Sequence, residues 1–238
     1  METERALILT RINELFELIQ DRDATKTYTI YRGQREEEWL LLPKIDRVEF
    51  EQYRKQQKWP REIHEKYILQ AFRKGVRPFV SEVPKDEFEL MALAQHHGLV
   101  TKLLDWTTNP LVGLYFAVEE PSDRNSVLWE LTMPRLQAII TGEKPFDTKF
   151  YQELIVEPPH VSPRIVAQSA LFTMHRSSDD ISARISKGKG HLRKILIQGE
   201  ARAELKKQLA LLGITRQSLF PDLDGLAAHT NWRFTVSR

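Results

Sequence analysis

The residues best suited to chemistry fall in two short segments of the chain, 31–34 and 94–118. The second, AQHHGLVTKLLDWTTNPLVGLYFAV, places two histidines, an aspartate, a tryptophan and several hydroxyl groups in an otherwise apolar stretch. A buried polar group without a partner costs about 1–3 kcal/mol, so this density of polar groups predicts a function beyond folding. A guanidinium, imidazoles and a carboxylate brought together could bind an anion, move a proton and stabilise a positive charge.

Arg32 follows TYTIY, a β-branched and aromatic run that predicts a strand, and it precedes Gly33. An arginine there can donate two parallel hydrogen bonds to a phosphate or carboxylate. A glycine lets a ligand come close to the backbone. The alternative is a surface arginine that pairs with one of the acids at 36–38.

Two adjacent histidines, His96 and His97, stand with Gln95 and Gly98 at the end of a predicted helix. The helix dipole favours a protonated imidazole at this end. Adjacent helical residues point apart, since only positions three or four apart share a face, so no metal site is expected from this pair. One imidazole is expected to face a pocket; the alternative is a histidine satisfied within the core.

Residues 105–109, DWTTN, directly precede another predicted helix. The free N–H groups of a helix N-terminus suit a phosphate or a carboxylate. Asp105 stands among apolar neighbours and needs a partner if it is buried, for which Arg32, His96 and His97 are the candidates.

Three further side chains extend this hypothesis. Trp106, or Tyr31 upstream, offers a ring on which a planar group could stack. Thr108 or Asn109 could instead simply cap the helix that follows. Gln168 is a polar residue within an apolar segment that predicts a strand; the alternative is a side chain that simply faces solvent.

Hydrophobic period and capping signals predict the elements that must position these residues. Helices are expected over 4–20, 48–77 with a break at Pro60, 87–97 behind a cap at Asp86, 110–118, 200–212, and a last short one opening at 219–225. Strands are expected over 27–32, 126–132, 192–198, and 164–175 with a bend near Ser169-Ala170. A short extended or turn segment is expected over 101–106. The pattern predicts one α+β domain with peripheral N-terminal helices.

Composition limits the class of protein. The 238 residues are 41% hydrophobic and 29% charged, which is typical of a soluble globular protein. The net charge of +2 is too small to predict nucleic-acid binding by bulk electrostatics. No apolar run long enough to span a membrane, no signal peptide and no cysteine are present, so a cytoplasmic protein without a membrane partner is expected. The motifs of Rossmann, P-loop, zinc-protease and nucleophile-elbow sites are also missing.

Several of these segments together resemble the FRG domain, a family of mostly bacterial and phage-associated proteins named for an aromatic-Arg-Gly motif. The resemblance covers roughly residues 25–230 and rests on YRGQ, LAQHHG, TKLLDWT, NP and YFA, then on Arg164 with Gln168, on Phe172-Thr173 and on LFPDLDG. The first motif has Tyr31 in place of phenylalanine, and Ser169-Ala170 stands where a glycine is expected. The resemblance implies one domain over 1–238, with an N-terminal helix at 1–24 and a core at 25–230.

A weaker resemblance, to the ADP-ribosyltransferase superfamily, implies a mixed or antiparallel split sheet with peripheral helices, and NAD as the substrate. In that pattern Arg32 holds the phosphates or ribose of NAD, and Thr107-Thr108 support the nicotinamide ribose. Gln168 stands where the superfamily has an acid, and an amide cannot accept a proton. His96, His97 or Asp105 would then supply the missing charge or base.

The resemblance therefore implies a nucleotide-binding, ADP-ribosyltransferase-like enzyme that cleaves the nicotinamide bond of NAD. It would transfer ADP-ribose to a protein, to a nucleic acid or to water, in phage defence or as a toxin. The expected catalytic residues are Arg32, His96, His97, Asp105 and Gln168. The expected nucleotide-binding residues are Tyr31, Arg32, Gly33, Gln34, Trp106, Thr107, Thr108 and Asn109. The alternatives are a non-enzymatic nucleotide- or nucleic-acid-binding module and a hydrolytic His-Asp site with a divalent metal.

Overall fold

A seven-stranded sheet forms the centre of the computed structural model, which describes residues 7–20, 27–134, 154–156, 162–174, 181 and 190–235. The strands are β1 (Leu7–Leu9), β2 (Thr27–Gln34), β3 (Leu103–Thr107), β4 (Ser126–Pro134), β5 (Leu154–Val156), β6 (Ala170–Met174) and β7 (His191–Ile197). Their order across the sheet is β1-β7-β4-β2-β3-β6-β5. β1 runs parallel to β7, and each of the other neighbouring pairs is antiparallel.

Helices pack on this sheet, so the α+β class is confirmed. They are α1 (Ile12–Ile19), α2 (Val48–Gln56), α3 (Arg61–Gly75), α4 (Glu87–His96), α5 (Pro110–Val118), α6 (Pro163–Ala167), α7 (Arg202–Leu211), α8 (Arg216–Leu219) and α9 (Leu223–Thr235). Within the described residues, none of them combines the length and the hydropathy needed to cross a lipid bilayer.

Side-chain caps set the starts of the two helices nearest the site, as the sequence predicts. The Asp86 carboxylate accepts hydrogen bonds from the N–H groups of Phe88 and Glu89 at the start of α4. The Asn109 amide oxygen accepts from Leu111 N–H, with Pro110 as the first residue of α5. Each cap satisfies N–H groups that a helix start leaves free.

The core lies on both faces of the sheet. On one face α5, with Leu114, and α7 pack against apolar residues of β2 and β7, including Tyr31 and Ile195. The other face carries Ile30, Trp106 and Trp129. A third cluster packs α4 against β3 and β6.

The join between β2 and β3 is the weakest in the sheet. The two strands pair at one position, Tyr31 opposite Thr107, whereas β2 pairs with β4 along its whole length. The β2–β4 ladder and the β3–β6 ladder are therefore joined by a single residue pair. The sheet is continuous but nearly divided there, beside the residues of interest.

The predicted N-terminal helix over 4–20, part of the segment 1–24, is wrong in its first half. Leu7–Leu9 form β1 and pair with Ile195–Ile197, and Leu9 is fully buried. The Glu14 carboxylate then accepts hydrogen bonds from Thr10 N–H and Arg11 N–H, which starts α1 at Ile12. Residues 1–6 and 21–24 of that segment lie outside the described residues.

The strand predicted over 164–175 is also wrong in its first half. Pro163–Ala167 form the short helix α6, because Ser162 Oγ accepts from Ile165 N–H and a proline suits the first helical turn. Ser169, with φ 45°, then turns the chain into β6 at Ala170. Gln168 therefore follows a helix and does not belong to a strand; residue 175 lies outside the described part.

Two further elements differ in length from the prediction. β2 continues through Gly33 to Gln34 and does not end at Arg32. α9 runs for 13 residues, where a short helix was expected.

Candidate functional site

A cleft of about 500 Å³ lies beside the junction of β2 and β3, and most of the expected site residues line it. Its walls come from β2, β3, the end of α4, α5, α6 and α8. The expected residues on its walls are Tyr31, Arg32, Gly33, Gln34, His96, Asp105, Trp106, Thr107 and Gln168. His97, Thr108 and Asn109 are not among the lining residues. The fold thus brings the guanidinium, the imidazole, the carboxylate and the glutamine amide to one cleft.

Arg32 is largely buried at this cleft and is only partly satisfied. Its Nη1 donates to the Asp105 carbonyl oxygen at 2.7 Å and lies 3.6 Å from Asp105 Oδ2. Its Nε is buried and has no hydrogen-bond partner among the described residues. Burial lowers the pKa of Arg32, the Asp105 charge opposes this, and the Arg47 charge adds to it. Arg32 pairs with Asp105 and not with the acids at 36–38.

Asp105 presents a fixed carboxylate to the cleft. Gln95 Nε2 donates to Asp105 Oδ1 at 2.7 Å, and the Thr101 hydroxyl in turn donates to Gln95 Oε1. The Asp105 side chain is 60% exposed, between the buried Leu104 and Trp106. Its negative charge is therefore both oriented and accessible.

Gln95 was missed as a site residue although it directly precedes the two histidines. Its signal in the sequence was a polar side chain in the last turn of an apolar helix. Its role depends on β3 passing close to α4, which spacing alone does not predict.

The two histidines lie in different environments. His96 is half-buried and lines the cleft, whereas His97 is exposed. Their rings meet edge to face at 4.9 Å between centroids. Burial lowers the pKa of His96 below its ordinary 6.5; the charges of His97 and Arg164 add to this, and Asp222 and Asp105 oppose it. His96 is accordingly a neutral imidazole near neutral pH.

The stacking role expected for Trp106 or Tyr31 does not fit the structure. Trp106 is 3% exposed, packs in the core, and its indole N–H donates to Thr173 Oγ1 at 2.8 Å. Tyr31 is 4% exposed and packs beneath α5. Both rings stabilise the walls of the cleft from behind.

A glycine is needed at position 33 for a different reason from the expected one. A Cβ at this position would lie 2.2 Å from Gly113 O and 2.3 Å from Ala117 N of α5. The space beside Gly33 is therefore filled by the helix, so the glycine admits α5 and not a ligand.

Thr107 and Gln168 are held by the fold as well as facing the cleft. Thr107 Oγ1 donates to Gln168 O at 2.7 Å and accepts from Asn109 N–H at 3.0 Å. Gln168 Nε2 donates to Leu219 O at 3.0 Å. Thr108 is exposed, and its N–H donates to Ser169 O at 3.1 Å. Capping of α5 accounts for Asn109.

Gln34 is a structural residue of the cleft wall. It is 4% exposed, donates to Leu40 O at 3.2 Å and accepts from the Trp129 indole N–H. Both ends of its amide are therefore satisfied within the fold.

The C-terminal part of the chain contributes residues that the sequence did not single out as site residues, although Arg164, Phe220 and Asp222 stand in motifs of the FRG resemblance. The guanidinium of Arg216 lies 3.7 Å from the Phe220 ring centroid, and that of Arg164 lies 5.1 Å from it. Arg216 pairs with Glu119, and Arg164 pairs with Asp222. The pairs join segments 97 and 58 residues apart, so no local pattern could have predicted them.

A metal site has no support within the described residues. No group of three or more histidine, aspartate or glutamate side chains lies close enough there to hold an ion.

Comparison with known proteins identifies a family match for part of the chain. Residues 27–126 match the family model of the FRG domain. The matched segment runs from β2 to the start of β4 and contains Arg32, Gln95, His96 and Asp105. It ends before α6 and α8, which complete the cleft. No curated protein and no solved structure matches the chain.

Proposed function

We propose that the cleft, which is formed in part by residues 27–126 that match the family model of the FRG domain, binds NAD and cleaves the bond between nicotinamide and ribose. The observation that carries the proposal is the partly unsatisfied Arg32 guanidinium beside the fixed, accessible carboxylate of Asp105. A cleft of about 500 Å³ is within the usual range for a site that takes a small organic ligand.

The roles follow from the chemistry of the bond. Cleavage breaks the bond between ribose C1′ and the nicotinamide nitrogen, and the electron pair leaves with nicotinamide. The ribose passes through a state resembling an oxocarbenium ion, as in glycoside hydrolysis, and the Asp105 carboxylate would stabilise its positive charge. An acceptor oxygen or nitrogen, or water, then bonds to C1′ and loses a proton. The neutral imidazole of His96 is the candidate base for that proton.

The anionic part of NAD would lie against the arginines of the cleft. The buried Nε–H of Arg32 has no hydrogen-bond partner among the described residues, and a guanidinium fork suits a diphosphate. Phe116 and Phe220, whose rings meet edge to face at 6.2 Å, replace Trp106 and Tyr31 as the aromatic groups of the site. An enzyme that consumes NAD would suit a role in phage defence or as a toxin.

The test is nicotinamide release from NAD, measured by chromatography, with NAD binding measured separately by calorimetry. Arg32→Ala is expected to weaken NAD binding about 10- to 100-fold, since hydrogen bonds to a charged group are lost. Arg124→Ala is the matched control, because that arginine is 76% exposed and does not line the cleft. Absence of both binding and release, or an Arg32→Ala protein equal to wild type, contradicts the proposal.

One observation favours a second candidate, a module that binds a nucleotide or nucleic-acid end without cleaving it. Gln168 stands where the transferase pattern has an acid, and its amide N–H is engaged with Leu219 O. The Asp105→Asn variant separates the two candidates. Slower release with unchanged NAD binding supports catalysis, whereas NAD binding without release by the wild type supports the module.

A further inference from the structure

A side groove of about 200 Å³ opens from the cleft beside Asp105. Arg32, Arg47, Gln95 and Asp105 line both spaces, so the groove and the cleft are contiguous. The far wall of the groove includes Lys44, which does not line the cleft itself.

The turn that carries Lys44 is rigidly fixed. Residues 44–46 form one 3-10 turn, in which Ile45 is 1% and Asp46 is 3% exposed. Arg61 donates to both carboxylate oxygens of Asp46, at 2.8 Å and 2.7 Å. Lys44 and Arg47 are the exposed residues on either side of this buried pair. The fold therefore holds two cations at the groove from an anchored backbone.

Among the described residues, Lys44 and Arg47 lack acidic partners. Lys44 Nζ donates to Gly98 O, a neutral carbonyl oxygen, at 3.1 Å. In the part of the chain that the structure describes, neither Lys44 nor Arg47 lies within ion-pair distance of a carboxylate. Arg32 adds a third cation at the inner end, and Asp105 is the one acid among the lining residues. The groove thus carries an excess of positive charge.

We propose that this groove binds a phosphate monoester that the ligand carries in addition to its diphosphate, which makes the substrate a phosphorylated dinucleotide of the NADP class. The inference rests on the proposed function, which places the diphosphate at Arg32. A phosphate monoester carries a charge of about −1.5 to −2 near neutral pH, so it needs more than one cation. Lys44 and Arg47 supply two at the groove, next to the cation assigned to the diphosphate.

The experiment compares matched ligands with and without the monoester. Calorimetry measures the dissociation constants of NADP and NAD, and of adenosine 2′,5′-bisphosphate and AMP, for the wild type and for Lys44→Ala. Lys44 is the most informative position to change because, unlike Arg32 and Arg47, it lines the groove and not the cleft. Lys74→Ala is the control, since it removes an exposed lysine of α3 away from the cleft.

The wild type is expected to bind NADP about ten-fold more tightly than NAD, as one or two charge-assisted hydrogen bonds would give. Lys44→Ala is expected to reduce this preference several-fold, and Lys74→Ala to leave it unchanged. Equal affinity for NADP and NAD in the wild type, or a preference that Lys44→Ala leaves intact, overturns the proposal.

The second ligand pair separates failure of this proposal from failure of the proposed function. A Lys44-dependent preference for the bisphosphate over AMP, without nicotinamide release, supports the phosphate site in the groove and contradicts the proposed enzymatic activity. Nicotinamide release without any preference for the extra phosphate supports the proposed enzymatic activity and contradicts the phosphate site in the groove. No preference within either ligand pair overturns the groove assignment.

Discussion

At the scale of single residues, the site is a short chain of hydrogen bonds that ends in a carboxylate. The Thr101 hydroxyl orients the Gln95 amide, and the Gln95 amide orients Asp105. Arg32 approaches the same aspartate from β2. The partners of Asp105 thus come from α4 and β2, so its position depends on how these elements pack.

Gln95→Ala is expected to slow nicotinamide release about ten-fold and to change the KM for NAD little. The substitution removes the donor that orients Asp105 while leaving Arg32 in place, and misplaced catalytic groups lose rate more than binding. Steady-state kinetics of the purified variant measure both constants. Gln70→Ala, at an exposed position of α3, is the control; a kcat equal to wild type in the Gln95 variant speaks against this role.

His96 is expected to titrate below pH 6.5 in an NMR titration of the histidine ring protons. Burial disfavours its charged form, and the Arg164 charge adds to that effect, so Arg164→Ala should move the midpoint upward. The His96→Asn spectrum assigns the signal. Because the folded-state pKa lies below the unfolded one, this group should reduce stability as the pH falls from about 6.5 through the lowered pKa. A midpoint above 6.5 contradicts the burial of the ring.

At the scale of elements, the close packing of α5 on β2 builds one wall of the cleft. Gly33 and Gly113 face each other across this contact, and each lacks the Cβ that would separate the two backbones. The aromatic-Arg-Gly motif therefore has two parts with different tasks. The arginine faces the cleft, and the glycine admits the helix.

Gly33→Ala is expected to lower the free energy of unfolding by about 3 kcal/mol, because a Cβ would overlap the backbone of α5. For a chain of this size that corresponds to a fall in Tm of about 6–12 °C. Gly75→Ala is the matched control, since nothing lies within 4 Å of its added Cβ and alanine favours a helix. Equal Tm values for the two variants would show that α5 can move away at little cost.

At the scale of the whole molecule, a buried network of charges joins three regions around the side groove. Arg61 of α3 bonds Asp46 of the 3-10 turn and lies 2.8 Å from Glu65, which also pairs with Lys102 before β3. All four side chains are 10% exposed or less. The network therefore fixes the turn with Lys44 and Arg47 to the rest of the fold.

Arg61→Met is expected to lower the free energy of unfolding by about 3–5 kcal/mol, because Asp46 loses its cation and remains buried. Urea unfolding followed by circular dichroism measures the change. Lys55→Met, which removes a 71% exposed partner of Glu51, should change it by less than about 1 kcal/mol. A similarly small effect at Arg61 would show that the network contributes little.

The elements around the site could be predicted where local chemistry decides them. Asn109 with Pro110, and Asp86 with Gly98, mark the ends of α5 and α4 whatever lies around them. Long-range pairing decides the others. Leu7–Leu9 fit the helical period of the residues that follow, and their place beside β7 is set by residues nearly 190 positions away. The Ser162-Pro163 start of α6 was a usable signal, outweighed by the β-branched residues after it.

The candidate site divides in the same way. The part of the site within residues 27–126, which match the FRG family model, contains Arg32, His96 and Asp105. It could be predicted because its chemical groups cluster in short motifs. The opposite wall could not be predicted, although Arg164 and Phe220 stand in short motifs, because Arg164, Arg216 and Phe220 reach the cleft only through the packing of α6 and α8. The burial of Trp106 and Tyr31 could not be predicted, because it depends on which face of each strand meets the core.

The single pairing of Tyr31 with Thr107 has a consequence for a molecule bound in the cleft. Such a molecule would contact Arg32 on β2 and Gln168 just before β6, on the two sides of the junction between β2 and β3. It would therefore link the two sides of a seam at which the backbone pairs at one position. Loading the cleft is then expected to slow amide hydrogen exchange most at that seam, on both of its edges together. In this fold the bound molecule would complete the sheet with contacts that its own backbone does not make.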